Sequence, residues 1–266
     1  MIFVRVNIEK MEIKIRNSKV YYTVKGKGPA LVLLHGFLES STIWNAIAPQ
    51  LSSRYKVIII DLPGHGRSET MDEPHSMELL AGVVNEVIKH LEITEVAMVG
   101  HSMGGYVALA FAEKYTKLLS RLVLLNSTPE ADTILRKRDR DRGLELLKSV
   151  PKAYVRMAIA NLFSREANAQ FATKIEALKQ EVSNFPIAGI SAMIRGMRNR
   201  KDRKLVLRAL KIEKIMICSK KDPLFDINKM QLIANECFTS FICISGGHMS
   251  WMEQPEEIVK IVHFID

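Results

Sequence analysis

Gly100-His101-Ser102-Met103-Gly104, followed at once by Gly105, restricts this chain more than any other stretch, because it stands directly after an apolar run that reads as a strand and directly before one that reads as a helix. A serine at so tight a strand-to-helix turn projects its hydroxyl above a sheet. The flanking glycines are required there because side chains would collide with neighbouring backbone. The turn also points the N-terminus of the next helix at the serine, where free N–H groups and the positive dipole end favour negative charge. A chain with this turn must supply a strand, a helix and a sheet whose carboxyl edge is open.

The rest of the sequence supplies them. Alternating or apolar runs at Glu12–Arg16, Val20–Lys25 and Ala30–Leu34 predict an opening β-meander. Beyond it, Ser40–Leu51, Ser76–Leu91 and Met103–Tyr115 read as helices that alternate with strands at Lys56–Ile60, Glu95–Val99 and Arg121–Leu125. Such βαβ units imply a parallel sheet, whose buried strands should be almost wholly apolar, as Lys-Val-Ile-Ile-Ile and Val-Ala-Met-Val are. After Ser127 the strand signal stops for about eighty residues and helical spacing takes over, as at Phe171, Ile175 and Leu178. Strands resume at Lys214–Cys218 and Phe238–Ile244, with a helix at Asn228–Asn235 between them and a closing helix over Pro255–Phe264. The expected fold is therefore α/β, with a mostly parallel eight-stranded sheet flanked by helices. Residues 1–127 and 212–266 form its core, and residues 128–211 an inserted helical cap.

At 266 residues, 47% hydrophobic and 25% charged, the chain has the balance of a globular protein able to bury a large core. No stretch approaches the roughly 18 uninterrupted apolar residues of a spanning helix. The first ten residues interleave Arg5, Glu9 and Lys10 with Ile and Val, unlike a secretory leader. A cytoplasmic location is expected. Cys218, Cys237 and Cys243 are an odd number, show no C-x-x-C spacing and lie in apolar runs, so buried free thiols are expected rather than disulfides or metal ligands. The net charge of +9 is unevenly spread: residues 128–211 carry 19 Lys and Arg against 9 Asp and Glu, or +10, and the remainder is −1. No repeat, low-complexity tract or linker is visible.

A serine hydroxyl is a weak nucleophile until a base takes its proton, so a histidine and a group to orient it are needed. Of seven histidines, His248 lies in Ser245-Gly246-Gly247-His248-Met249, between the last apolar run and the last helix, where the carboxyl end of a strand should be. His35, His65 and His101 read as local loop residues. Asp222 follows the strand Lys214–Cys218 in a short polar loop, with Asp226 as its rival; Ser102, Asp222 and His248 then run nucleophile, acid, base. The lysines at 220 and 221 would favour the ionised acid. An oxyanion hole needs two main-chain N–H groups: Met103, after the serine, supplies one, and Phe37 in His35-Gly36-Phe37 is the natural donor of the other.

Taken in order, His35-Gly36-Phe37, Asp61-Leu62-Pro63-Gly64-His65-Gly66-Arg67-Ser68, the GHSMGG turn and the Gly246-Gly247-His248-Met249 loop resemble the α/β-hydrolases, in particular their small esterase-like branch, from about Met11 to the end. The resemblance implies the fold above, with Ser102, Asp222 and His248 as its triad. It also implies acyl transfer on small to medium carboxylic esters, with thioesters and lactones next. The stretch from Asp61 to Ser68 is implied to be structural. Relatives with the same triad cleave carbon–carbon bonds, and a ligand receptor that keeps the triad is a third reading; His101 before the nucleophile favours the ester. No metal and no organic cofactor is expected, and neither H-E-x-x-H spacing nor a phosphate-binding loop is present.

The cap should roof the site, and Met157, Phe163, Met193 and Met197 are candidates to line it, helix core being the blander alternative. Its +10 charge admits an anionic acyl substrate, although runs such as Arg136-Lys137-Arg138 more often form a solvated face. Nucleic acid is not an expected partner, because the basic residues are not interleaved with aromatics.

Overall fold

The computed structural model describes residues 9–71 and 74–263. Its strands are β1 (Glu9–Ile15), β2 (Ser18–Lys25), β3 (Ala30–Leu34), β4 (Lys56–Ile60), β5 (Val96–His101), β6 (Leu119–Leu125), β7 (Glu213–Ser219) and β8 (Ser240–Ile244). They form one sheet in the order β1-β2-β4-β3-β5-β6-β7-β8. The first two pairings are antiparallel and the other five parallel. The helices before the long insertion are α1 (Ala48–Leu51), α2 (Met77–His90) and α3 (Met103–Lys114).

The central strands are apolar throughout because both faces of the sheet are covered. Val32, Leu34, Ile58, Ile60, Met98, Leu122, Leu124 and Met216 point to one side, where they pack with α2 and α3. Their neighbours Leu31, Leu33, Val57, Ile59, Val99, Val123, Leu125 and Ile217 point to the other, toward Trp44, Leu51 and the closing helix. The period-two alternation of strand side chains thus divides one apolar run between two cores. Ser76 caps α2 by accepting from the Leu79 N–H, the capping chemistry the Ser-Met-Glu-Leu start advertises.

Between β6 and β7 the chain forms α4 (Ile134–Ser149), α5 (Pro151–Ala160), α6 (Arg165–Gln170), α7 (Ala172–Val182), α8 (Ile187–Arg198) and α9 (Lys204–Ala209), with no strand among the described residues. These helices hold an apolar cluster of their own, including Leu147, Val155, Ile159, Ile175, Leu178 and Ile194, which is joined to the sheet edge through Leu38, Met249 and Met252. After β7 come α10 (Ile227–Glu236), α11 (Ser250–Glu253) and α12 (Pro255–His263); the expected last helical residue, Phe264, lies outside the described residues, as does Arg5.

Three expectations need correction. Ser40–Leu51 is not one helix but a 3₁₀ turn over Ser41–Trp44 and the single turn α1. Pro49 has no N–H to donate, so a continuous helix through Asn45 would lack a bond there. The last strand starts at Ser240 and not Phe238, because Phe238 has φ +51° and closes the turn after α10. Cys218 and Cys237 are buried free thiols, but Cys243 is exposed on the edge strand β8. Burial pushes the Cys218 thiol up to about 12, which leaves it unreactive.

One close approach seats the insertion on the sheet layer. A Cβ on Gly196 of α8 would lie 1.8 Å from the carbonyl oxygen of His75, just before α2, and the His75 N–H donates to Ala192 of the same helix at 3.2 Å. Gly196→Ala is expected to lower stability by about 1–3 kcal/mol through overpacking, outweighing a gain of about 1 kcal/mol in helix propensity. The denaturant midpoint reads it; a variant as stable as wild type would mean that α8 can shift away from residue 75.

Candidate active site

Ser102 sits between β5 and α3 with φ +49° and ψ −113°, a conformation that non-glycine residues rarely adopt. The surroundings hold it there. Its N–H donates to Leu125 O at 2.9 Å, and the Ser127 hydroxyl donates to its carbonyl at 2.7 Å. The glycines are as crowded as the motif requires: a Cβ on Gly104 would meet Leu34 O at 2.4 Å, and one on Gly100 would meet the Gly104 carbonyl at 2.5 Å. The strained turn presents the hydroxyl at the carboxyl edge of the sheet.

At that edge the loops after β7 and β8 bring two more side chains to it. The Ser102 hydroxyl donates to His248 Nε2 at 2.9 Å, and His248 Nδ1 donates to Asp222 Oδ2 at 2.8 Å. The side chains of His248 and Asp222 are each only 2% exposed. With the carboxylate as acceptor on one side, the imidazole proton resides on Nδ1 and Nε2 is free to accept. The Lys221 N–H donates to Gly246 O at 2.9 Å, which ties the loop after β7 to the loop after β8.

Burial alone would raise the Asp222 carboxyl. The charge and hydrogen bond of His248, the Leu224 N–H and the Asn126 amide outweigh it and hold the group below the usual carboxylate range. Lys220 and Lys221 are not among these causes; Lys221 is exposed and lies 3.8 Å from Glu166. Asp226 instead caps α10 by accepting from the Lys229 N–H at 2.8 Å. Asn126, itself at φ +45°, donates to Asp222 Oδ2 at 2.9 Å and accepts from the Ser250 hydroxyl at 2.6 Å. It was visible in the sequence only as a loop residue without a charge.

Phe37 follows β3 in a turn, and Met103 is the first residue of α3. Neither main-chain N–H is engaged by another group among the described residues. Both amides are therefore unengaged, one condition that an oxyanion hole sets.

The sequence reading missed a second buried pair. His101 is not a local loop residue: it is the last residue of β5 and fully buried, its Nδ1 is 2.9 Å from Glu39 Oε2, and its Nε2 is 3.0 Å from the main-chain oxygen of His248. Both ring nitrogens face acceptors, an arrangement that favours the doubly protonated imidazolium over either neutral tautomer. Burial would lower the His101 value, but Glu39, the His248 carbonyl and Asp222 raise it above the ordinary histidine range. Burial would raise Glu39, but His101 and the Gly36 N–H bring it below the ordinary carboxylate range. Glu39 also accepts from the Gly36 N–H and, at 3.2 Å, from the Trp251 indole. One ion pair thus fastens the turn that bears Phe37, the residue before Ser102 and the loop that bears His248. The available signal was that Glu39 is the one Asp, Glu, Lys or Arg between Lys27 and Arg54.

His35 and the Asp61–Ser68 loop are structural. His35 Nε2 accepts from the Leu62 N–H at 2.9 Å, and Asp61 accepts from the N–H groups of Ser41 and Arg67 at 2.6 and 2.9 Å.

A cavity of about 420 Å³ opens over Ser102 and His248, with Phe37, Leu38, Tyr106, Tyr154 and Leu162 in its walls. Met157 and Met197 line it. Phe163 and Met193 do not: Phe163 packs into the cluster of the inserted helices, and Met193, one turn before Met197, faces the sheet core with Met71 and Met77. Helical spacing could place each methionine on an apolar face, but not say which apolar surface that face meets. A larger cavity of about 730 Å³, between β2 and Glu181, contains neither Ser102 nor His248. Among the described residues no group of three or more His, Cys, Asp or Glu is placed to hold a metal ion, and no helix is long and apolar enough to cross a membrane.

The alpha/beta hydrolase fold profile matches residues 29–255. A pimeloyl-[acyl-carrier protein] methyl ester esterase of Aeromonas hydrophila is 37% identical over 105 residues, 39% of this chain and 40% of that protein. A soluble epoxide hydrolase of a Corynebacterium species is 36% identical over 115 residues, 43% of this chain and 40% of that one. Curated relatives of this kind are matched over 30 to 41% of their length. The solved structure of a thermophilic esterase from Thermogutta terrifontis superposes with a TM-score of 0.89 at 27% identity, over 96% of this chain and 97% of that one. A profile match from the third strand to the last helix, on an eight-stranded sheet with its serine at the strand-to-helix turn, means that this chain belongs to the alpha/beta hydrolase fold family.

Proposed function

We propose that this protein is a serine hydrolase of small to medium carboxylic esters, working through an acyl-enzyme. The observation that carries the reading is the hydrogen-bonded line from the Ser102 hydroxyl through His248 to Asp222, at 2.9 and 2.8 Å, on a strained turn beside two unengaged main-chain amides.

In this reading His248 Nε2 takes the Ser102 proton as Oγ attacks the ester carbonyl. Electrons move onto the carbonyl oxygen, where the N–H groups of Phe37 and Met103 hold them. His248, now an imidazolium stabilised by Asp222, returns its proton to the departing alcohol, and the acyl group remains on Ser102. A water molecule, deprotonated by the same nitrogen, then releases the acid. Residues 128–211 act as a cap that sets specificity through the walls of the cavity. The esterase names among its relatives support an ester in particular.

The test is a stopped-flow assay with p-nitrophenyl esters of graded acyl length. A burst of p-nitrophenol matching the enzyme concentration is expected, and mass spectrometry of the quenched sample should find the acyl group on Ser102. No turnover on any chain length would remove the ester reading.

A further inference from the structure

Arg136 and Arg140, one turn apart on α4, line the same cavity as Ser102 and His248, together with Asp139 and Arg142 of the same helix. Their counter-charges differ. Arg140 donates to Asp132 at 3.2 Å, and Arg142 lies 3.5 Å from Asp139 in an exposed pair. Arg136 has no carboxylate within ion-pair distance among the described residues. Its guanidinium is half-buried and donates to one main-chain oxygen, that of Leu224, at 3.2 Å. A guanidinium presents five donors in a planar fork, so one carbonyl leaves most of them without a partner among the described residues. Leu224 is also the residue whose N–H donates to Asp222 Oδ1 at 2.8 Å, so Arg136 is fixed close to the acid of the site. The first turn of α4 contains no acidic residue, and its dipole adds the same sign of potential.

We propose that Arg136 receives a carboxylate at the far end of the substrate, so that the preferred substrates are half-esters of short dicarboxylic acids. The proposal rests on the ester-hydrolase reading for its reacting end. An uncompensated guanidinium in the wall of a partly enclosed cavity is matched by a carboxylate in charge and in two-point geometry. A neutral acyl chain of the same length leaves it unpaired.

The test compares p-nitrophenyl butyrate with mono-p-nitrophenyl glutarate. Wild type is expected to favour the glutarate by about tenfold or more in kcat/KM, the scale of one hydrogen bond to a charged group, with the difference in KM. The preference should shrink as salt rises from about 50 to 500 mM. Arg136→Gln should bring the ratio of the two esters close to one, and Arg136→Lys should restore part of it. If Arg136 only clamps Leu224, both esters slow by the same factor and the preference survives, which overturns the proposal. A second arm does not depend on turnover: Ser102→Ala protein titrated with monomethyl glutarate should release heat that Ser102→Ala/Arg136→Gln protein does not. Turnover of both esters without preference, and no such heat, would overturn the anion site and leave the hydrolase. Arg136-dependent binding with no turnover of either ester would leave the anion site and overturn the hydrolase.

Discussion

Ser102→Ala should lower kcat on p-nitrophenyl esters by about 10⁴-fold or more, His248→Ala by a similar factor, and the double variant by little more than either. The near-equality is the informative part. In the proposed mechanism the hydroxyl and the imidazole act in one proton transfer, so removing either removes the whole of it, and the second substitution has nothing left to take away. In the same mechanism, what rate survives would come from the Phe37 and Met103 amides and from binding in the cavity, neither of which the substitutions touch. Both residues act on chemistry after binding, so KM should move much less than kcat. Substitution of His248 by asparagine or alanine with a loss of less than tenfold would sink the assignment, provided that circular dichroism shows the fold intact.

Glu39→Ala is expected to have the second-largest effect, and it reaches both stability and rate. It leaves the buried His101 without its counter-ion, and breaking a buried pair from one side lowers stability by about 3–5 kcal/mol, a large part of the about 5–15 kcal/mol that holds a typical domain together. The same change releases the Gly36 N–H and the Trp251 indole, which frees the turn bearing Phe37. A displacement of that turn by about 1 Å can lower the rate about 10²-fold. Glu39→Gln keeps the shape and should lose less.

The pH dependence separates this pair from simple packing. His101 is raised, so its contribution is complete below the unfolded histidine value of about 6.5 and is lost as pH rises through the higher folded value. Glu39 is lowered, so its contribution is present above about 4.3 and is lost as pH falls through the lower folded value. The gap in thermal midpoint between wild type and Glu39→Gln should therefore be widest between about pH 4.3 and 6.5 and narrow on going to alkaline pH. A gap that stays constant from pH 5 to pH 9, taken as round values spanning about 6.5, would show that His101 is neutral in the folded protein.

Much of this architecture was present in local patterns. Lys56–Ile60 and Ala30–Leu34 coincide with β4 and β3, because a strand covered on both faces is apolar over nearly its whole length. Ser76 and Leu91 bounded α2 because the cap chemistry is carried by adjacent residues. Errors fell where a neighbour in space overruled a neighbour in sequence. The apolar content of Phe238 read as strand, but it is 70% exposed at a left-handed turn. Met193 and Met197 share one helix face and one core cluster, yet only Met197, one turn further on, also reaches the cavity.

By itself, the sequence determined the order of strands and helices, the glycine-flanked turn that carries Ser102, and the candidates Asp222 and His248 at the ends of later strands. These follow from side-chain period and from steric limits within a few residues. Tertiary structure alone decided that Glu39 neutralises His101 from 62 positions away, that Asn126 supports Asp222 from 96, and that Arg136 meets Leu224 from 88 with no carboxylate beside it. The sheet order brings these loops to one edge, and whether a buried charge is compensated depends on distance through space, which no spacing along the chain records.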